Sequence, residues 1–342
     1  MARGSSPVPV PVLFGPTASG KTGVLFRLFG PDGLCSLKAE VVSADSMQVY
    51  RGMDVGTAKP SPGERELLPH HLIDIRNPDE QFNAGDFVRL ALEAIADIAG
   101  RGAVPVVSGG TGFYLKNLVL GLPEAPPSDP AVRGGLKTEL REKGAAALMD
   151  ELAARDPVSA ERIHLNDEYR LLRALEVLRL CGRPLSSFGV SGPPEASNGA
   201  AGPGSRFRFI VLGLFRPREE LYRRIDERCA AMFSRGLPDE ARRLYEAGYT
   251  PRDPGLRAIG YREFFVDDGD GGYRLSRDTD GVRELVAGNS RRYAKRQATF
   301  FASLPGAKRI AACAGDDETA KLVWRELEEV WVRAERVRPL SV

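Results

Sequence analysis

The sequence predicts an α/β fold: a parallel sheet flanked by helices, with a helical insertion domain and a helical C-terminal part. Three observations predict it. Over the first 120 residues, short apolar runs alternate with segments of helical period, as in a parallel sheet whose strands are joined by helical crossovers. The first run passes into a glycine-rich turn that opens a helix, the context of a phosphate-binding P-loop, so the sheet is P-loop NTPase-like. From about Pro123 strand character stops, and helical periodicity takes over until Arg206.

Each element has its own warrant. Val8–Phe14 is a continuous apolar run of strand length, and Val24, Leu25 and Leu28 mark the helix after it. Glu40–Ser43 is a second strand, ending at Ala44-Asp45, and Leu72–Ile75 a short third. Asp86–Gly100 carries Phe87, Leu90, Ala91, Ala94, Ile95 and Ile98 at helical spacing. Val104–Val107 is a fourth strand, closed by Ser108-Gly109-Gly110. After the linker PEAPPSDP, helices are expected over Ala131–Lys143, Ala145–Arg155 and Glu168–Cys181. Residues 189–205 are rich in Gly, Pro and Ser and read as a mobile loop. Arg206–Phe215 returns as a strand to the first sheet; helices follow over Arg218–Arg235, Pro238–Ala247 and Thr279–Ser303, with a turn at Asp267–Gly272. The expected layout is a discontinuous catalytic core (8–122 with 206–303), a helical insertion (123–205) and a helical tail (304–342).

Composition narrows the function classes. The chain has 342 residues, 48 Lys+Arg against 46 Asp+Glu, and 42% hydrophobic residues. That is ample core material and excludes wholesale disorder. Apolar runs such as Val8–Phe14 and Ile210–Leu214 fall far short of the roughly 20 residues that span a bilayer. Pro7, Pro9 and Pro11 interrupt any signal-peptide core. Cys35, Cys181, Cys229 and Cys313 are far apart, without a CxxC pair; they read as small buried hydrophobes in a reducing cytoplasm rather than a zinc or disulfide framework. His70, His71 and His164 make no HExxH site, and the adjacent pair reads as structural. With a net charge of +2, any nucleic acid would be met by a local basic face.

The chemistry sits in the loops after the strands. Gly15, Pro16, Thr17, Ala18, Ser19, Gly20, Lys21 and Thr22 match GxxxxGK[ST]. Glycines let backbone N–H groups curl around phosphate oxygens, and the helix start adds positive potential. Lys21 supplies a point charge and Thr22 a ligand for Mg²⁺. The motif binds phosphates, as in ATP-binding proteins, without saying which molecule carries them. Asp45 at the end of the second strand has three readings: a Walker-B-type carboxylate, a general base facing a second substrate, or a helix cap. Thr111, in Ser108–Gly112, is either the N-cap of the next helix or a hydroxyl facing the phosphates. Arg291–Gln297 holds four cations around Tyr293, and Arg257, Tyr261 and Arg262 lie nearby in sequence. Alone, such a run is a solvated helix face or a nucleic-acid contact.

Taken together the blocks are far more specific. GPTASGKT, SADSMQVYRGMDVGTAKP (43–60), HHLIDIRNPDEQFNAGDF (70–87), VVSGGTGFYLKNLVLGL (106–122), NDEYRLLRALEV (166–177), LRAIGYREF (256–264) and RRYAKRQATFF (291–301) occur in this order. Over roughly residues 8–303 the sequence closely resembles the bacterial tRNA dimethylallyltransferase (tRNA isopentenylpyrophosphate transferase) family. The resemblance implies transfer of a dimethylallyl group from dimethylallyl diphosphate to N6 of adenosine 37 in tRNAs reading codons that start with U. It implies that the P-loop holds an isoprenoid diphosphate with Mg²⁺, that Asp45 is the base, that Thr111 lies near the reacting centre, and that Arg228 reaches the diphosphate. It further implies tRNA contacts from Asp45, Ser46, Met47, Gln48, Thr111, Arg133, Tyr169, Arg170, Arg173, Arg257, Gly260, Tyr261, Arg262, Lys295, Arg296 and Gln297. A cytoplasmic monomer acting on the anticodon stem-loop, with no membrane partner, is expected. The departures, NDEYR where many relatives have NDPQR, Phe300 for Trp and Ala302 for Arg, bear on tRNA affinity rather than chemistry. Two alternatives share the P-loop: an adenylate isopentenyltransferase acting on free AMP, ADP or ATP, and a P-loop ATPase or kinase. The basic insertion and C-terminal helix argue against the first, since a mononucleotide needs no such surface.

Overall fold

A computed structural model describes residues 7–122, 124–189, 206–302, 304, 306–313 and 315–336; the expected loop from 190 to 205 lies outside them. In chain order the elements are β1 (Val8–Phe14), α1 (Lys21–Phe29), β2 (Ala39–Ser43), α2 (Pro62–Leu67), β3 (His70–His71), α3 (Ala84–Gly100), β4 (Val104–Gly109) and α4 (Gly112–Leu120). Then come α5 (Pro130–Arg155), α6 (Pro157–Arg162), α7 (Glu168–Cys181), β5 (Phe207–Phe215), α8 (Arg218–Ser234) and α9 (Leu237–Glu246). The chain closes with β6 (Phe265–Asp267), β7 (Tyr273–Leu275), α10 (Thr279–Ala302), β8 (Lys308–Ala311) and α11 (Asp316–Arg336). They form two compact units, one of residues 1–119 and 193–342, the other of residues 120–192.

The first unit is built on a six-stranded sheet of order β3-β2-β4-β1-β5-β8, parallel throughout. β1 lies at its centre, pairing Val12 with Val107 of β4 and Val211 of β5. Val10, Val12, Leu13 and Phe14 are buried, because a central parallel strand is covered on both faces. On one face Val24, Leu25 and Leu28 of α1 pack with Ala320, Val323 and Leu327 of α11. Parallel pairing brings the C-terminal ends of β1, β2 and β4 together, where open α/β sheets bind ligands. The approach is closest at Gly109, where a Cβ would stand 2.1 Å from the Ala44 carbonyl oxygen.

The structure departs from the sequence reading in four places. The third strand is His70–His71, paired with Val41 and Val42, not Leu72–Ile75. Leu72 and Asp74 adopt left-handed φ values of 62° and 57°, so the chain turns out of the ladder there although Leu72 and Ile73 are buried. Residues 304–342 are not a separate helical tail. Lys308–Ala311 is the edge strand beside β5, and α11 packs on α1, with an Arg27–Asp317 ion pair at 3.0 Å. The expected turn at 267–272 joins a small antiparallel hairpin, β6–β7. Of the cysteines, only Cys35 and Cys229 are buried.

The second unit is helical, as expected. The helices read at 131–143 and 145–155 are the halves of α5, broken at Gly144, whose φ is +80°. Leu136, Leu148 and Leu152 of α5 meet Leu171, Leu172, Leu175 and Leu178 of α7. Glu176 of α7, with no exposed surface, takes Arg133 at 3.2 Å, Arg173 at 2.9 Å, the Ser128 hydroxyl and the Asp129 amide. Among the described residues no helix is long and apolar enough to cross a membrane.

Candidate active site

A cavity of about 790 Å³ lies in the first unit, walled by Thr17–Gly23, Asp45–Gln48, Gly110, Arg224, Arg228, Tyr293 and residues around them. It opens where β1, β2 and β4 end, so the three loops singled out in the sequence share one space.

The P-loop curls through left-handed residues Ala18 (φ 62°) and Gly20 (φ 97°). The Lys21 ammonium folds back to donate to Gly15 O at 2.8 Å and Pro16 O at 2.9 Å. Burial lowers its pKa to about 8, Arg228 pushes the same way, and Asp45 opposes both. Burial likewise lowers the Arg228 pKa, again opposed by Asp45. Thr22 opens α1, exposed to solvent.

The second loop is shaped by Asp45, whose Oδ1 accepts from the amides of Met47 at 2.9 Å and Gln48 at 3.4 Å. Gln48 accepts from Ser43 Oγ at 3.0 Å and donates to the carbonyls of Thr57 and Ala58. The third loop meets it through Thr111: its hydroxyl accepts from the Ser46 amide at 3.0 Å and donates to Ser46 Oγ at 3.3 Å. The Thr111 hydroxyl thus ties the third loop to the second. Tyr293 closes the wall, its phenol pushed up to about 12 by burial and by the charge of Asp45, while hydrogen bonds from Thr111 and Gln297 pull down.

Several residues expected to meet tRNA do other work. Gln297 is buried, accepting from the Thr17 amide at 3.0 Å and donating to Gly110 O at 2.7 Å. It clamps the P-loop to the third loop. Tyr261 is wholly buried, its hydroxyl donating to Glu240 Oε1 at 2.6 Å and its ring lying where a Cβ on Gly56 would be. Gly260, at φ +102°, is buried beside it. Arg257, Arg262 and Arg296 line the cavity from exposed positions, and Lys295 is exposed. In the second unit Arg133 and Arg173 are committed to Glu176, whereas Tyr169 and Arg170 are exposed, Arg170 pairing with Asp167 at 2.7 Å. Arg133 also lies over the Tyr169 ring, 4.7 Å from its centroid.

Several positioning residues carried no sequence signal. Buried Glu240 of α9 accepts from the amides of Asp54, Val55 and Gly56 at 2.9–3.1 Å. Lys59, its side chain 2% exposed, donates to Tyr50 O at 2.8 Å and pairs with Asp54 and Asp74 at 2.6 Å. The distinctive segment 43–60 is thus a loop folded around two buried charges, one of them far away in sequence.

Residues 48–304 match the family model described as IPP transferase. The chain is 43% identical over 315 residues to a tRNA dimethylallyltransferase of Geobacter sulfurreducens, covering 92% of this chain and 95% of that protein. It is 34% identical to the full-length tRNA isopentenylpyrophosphate transferase of Bacillus halodurans, whose crystal structure superposes with a TM-score of 0.62 over 96% of this chain and 99% of that one. A eukaryotic dimethylallyltransferase, crystallised acting on tRNA, shares the fold at a TM-score of 0.75 and 24% identity, covering 98% of this chain and 81% of that one.

Proposed function

The chain belongs to the IPP transferase family, and from that premise we propose that it moves a dimethylallyl group from dimethylallyl diphosphate to N6 of adenosine 37 in the anticodon loop of tRNAs reading codons that begin with U. One observation carries the reading of the site. Asp45 lines the same cavity as Lys21 and Arg228, close enough that its charge opposes the loss of protons that burial promotes on both. A carboxylate opposite two cations is what transfer from a diphosphate to a nitrogen needs.

The donor diphosphate lies in the P-loop, where Lys21 exchanges its own loop carbonyls for phosphate oxygens. As the bond between C1 and the bridging oxygen breaks, its electron pair goes to diphosphate. The growing charge meets donors already in place: loop amides, Lys21 and Arg228. The N6 lone pair forms the new bond to C1, and the N6 proton passes to Asp45. Its carboxylate is already oriented by the Met47 and Gln48 amides on Oδ1, which leaves Oδ2 for the base. Adenosine 37 must leave its stack to reach that point. Arg257, Arg262, Lys295 and Arg296 stand exposed where the tRNA backbone would approach.

Mg²⁺ fits the residues present. The Thr22 hydroxyl is exposed at the start of α1, and among the described residues no cluster of three acidic, His or Cys side chains forms a closed cage. That suits an ion which keeps its waters and shares one or two protein ligands with substrate phosphates. When bound, it would neutralise charge on the leaving diphosphate. The proposal is for a monomer, working in a cytoplasm that keeps its four cysteines reduced.

The test is incubation of the full chain with dimethylallyl diphosphate, Mg²⁺ and an anticodon stem-loop carrying A36-A37-A38, read by mass spectrometry, beside AMP as sole acceptor. One dimethylallyl group on A37 and none on AMP is expected. Alkylated AMP with untouched RNA would move the protein to the free-nucleotide transferases.

A further inference from the structure

Two arginines that no motif singled out grip the P-loop. Arg216, just after β5, donates through Nε to Ser19 O at 2.9 Å, and through one terminal nitrogen to Glu220 at 2.6 Å and Cys313 O at 2.7 Å. Arg224 of α8 donates through Nε to Ala18 O at 3.0 Å. They cap successive carbonyls, and their free ends converge. A Cβ on Gly20 would meet Arg216 Nη2 at 3.3 Å, Arg224 Nη2 at 3.5 Å and Asp316 Oδ1 at 3.1 Å. The bare face of Gly20 is thus ringed by two guanidinium nitrogens and one carboxylate oxygen. Gly20, Arg224 and Asp316 all line the main cavity.

The ring is incomplete. The Arg216 side chain has no exposed surface, and its Nη2 is buried without a hydrogen-bond partner, as is Ser19 Oγ in the same loop. Buried polar groups are rarely left so, and a charged donor is the costliest to leave. Two such groups, Arg216 Nη2 and Ser19 Oγ, lie together at the loop that binds phosphate. At Gly23 the Asp316 carboxylate packs against the bare backbone, so that a Cβ there would stand 1.9 Å from its Oδ2.

Resting on the diphosphate reading of the P-loop, we propose that the bare face of Gly20 is a seat for a non-bridging oxygen of the donor diphosphate, held by Arg216 Nη2 and Arg224 Nη2. Asp316, a like charge at its rim, limits how tightly that oxygen is held. The segment after the family-model match, β8 and α11, therefore belongs to the donor site: it supplies the Cys313 carbonyl that orients Arg216, and it carries Asp316.

The experiment is calorimetric titration of the full chain with inorganic diphosphate in Mg²⁺, for wild type, Arg216→Lys and Asp316→Asn, with a melting curve for each. Arg216→Lys keeps the charge but loses the fork, and is expected to weaken binding about tenfold. Asp316→Asn removes only the charge and is expected to tighten binding about threefold or more. Wild-type affinity in both variants would overturn the seat. So would weaker binding in Arg216→Lys that merely follows a lowered melting temperature while Asp316→Asn changes nothing. Failure of the wild type itself to bind diphosphate would remove the diphosphate reading of the P-loop, and the seat with it.

Discussion

Arginine is used in opposite ways in the two units. In residues 120–192, Arg133 and Arg173 put their guanidinium groups on the carboxylate of Glu176, which is wholly buried. Around the P-loop, Arg224 puts one edge on a backbone carbonyl, and Arg216 divides its contacts between two carbonyls and Glu220 while its Nη2 stays without a partner. A cation on a carboxylate is neutralised and becomes part of the scaffold. A cation on a carbonyl is oriented but still charged, and its field remains available to an anion. Counting basic residues in a motif therefore does not say which of them a phosphate can use; their partners do.

The largest expected effect tests whether the cavity of the first unit is arranged around a base. Asp45→Asn keeps the size of the side chain and an acceptor for the Met47 and Gln48 amides. It is expected to lower kcat by about 10²–10⁴-fold, the usual worth of a positioned base, with little change in the affinity for tRNA. Single-turnover prenylation beside tRNA binding measures both. A rate near wild type would leave Asp45 only its turn-capping bonds.

The converse test belongs to the second unit. Glu176→Ala strands two half-buried arginines together with the Ser128 hydroxyl and the Asp129 amide. Breaking such a buried cluster costs about 3–5 kcal/mol. A markedly lower urea midpoint is expected for the full chain. An unchanged midpoint would mean that Arg133 and Arg173 do not depend on Glu176, and would return them to the list of cations free for RNA.

Much of this was legible in the sequence, for identifiable reasons. β1, β2, β4 and α7 fall within a residue or two of their expected bounds, because a buried parallel strand is a bare apolar run and α7 carries a strict helical stripe between Asp167 and Gly182. The P-loop, Asp45 and Thr111 come together as expected, because parallel pairing of β1, β2 and β4 puts their ends side by side. Long-range partnership was not legible. Nothing local in α9 marks Glu240 as the acceptor for amides 184 to 186 positions away. Nothing in the basic run of α10 separates Gln297, which faces inward onto Gly110, from Lys295 two positions earlier, which faces water. Strand β8 escaped because it is four residues long, with exposed Lys308, Arg309 and Ala311 around one buried Ile310, too brief for alternation to stand out.

A smaller effect sharpens the account of charge in the first unit. Burial brings the Lys21 pKa to about 8, so the free enzyme loses this cation as pH rises through that value. Phosphate favours the charged ammonium, so the affinity for diphosphate is expected to fall about tenfold for each unit of pH above 8. Lys21→Arg, which stays charged, is expected to remove the break whatever it does to the rate. A flat profile in wild type up to pH 10 would show Lys21 to be better solvated than its contacts with Gly15 and Pro16 imply.

The smallest effect decides which exposed cations near the site do meet RNA. Lys295 and Arg296 are exposed on α10 and carry no ion pair among the described residues, although Arg296 lies over the Tyr293 ring, 5.8 Å from its centroid. If each neutralises one tRNA phosphate, its replacement by Ala lowers the slope of log affinity against log salt by roughly 1. Arg291 lies four and five positions earlier but is paired with Asp226, so its replacement is expected to move the slope less. The same holds for Arg133, committed to Glu176. Filter binding of tRNA across a salt series reads all four. Equal slope changes at paired and unpaired arginines would break the distinction between spent and available charge, because RNA would then be drawing the paired ones off their carboxylates.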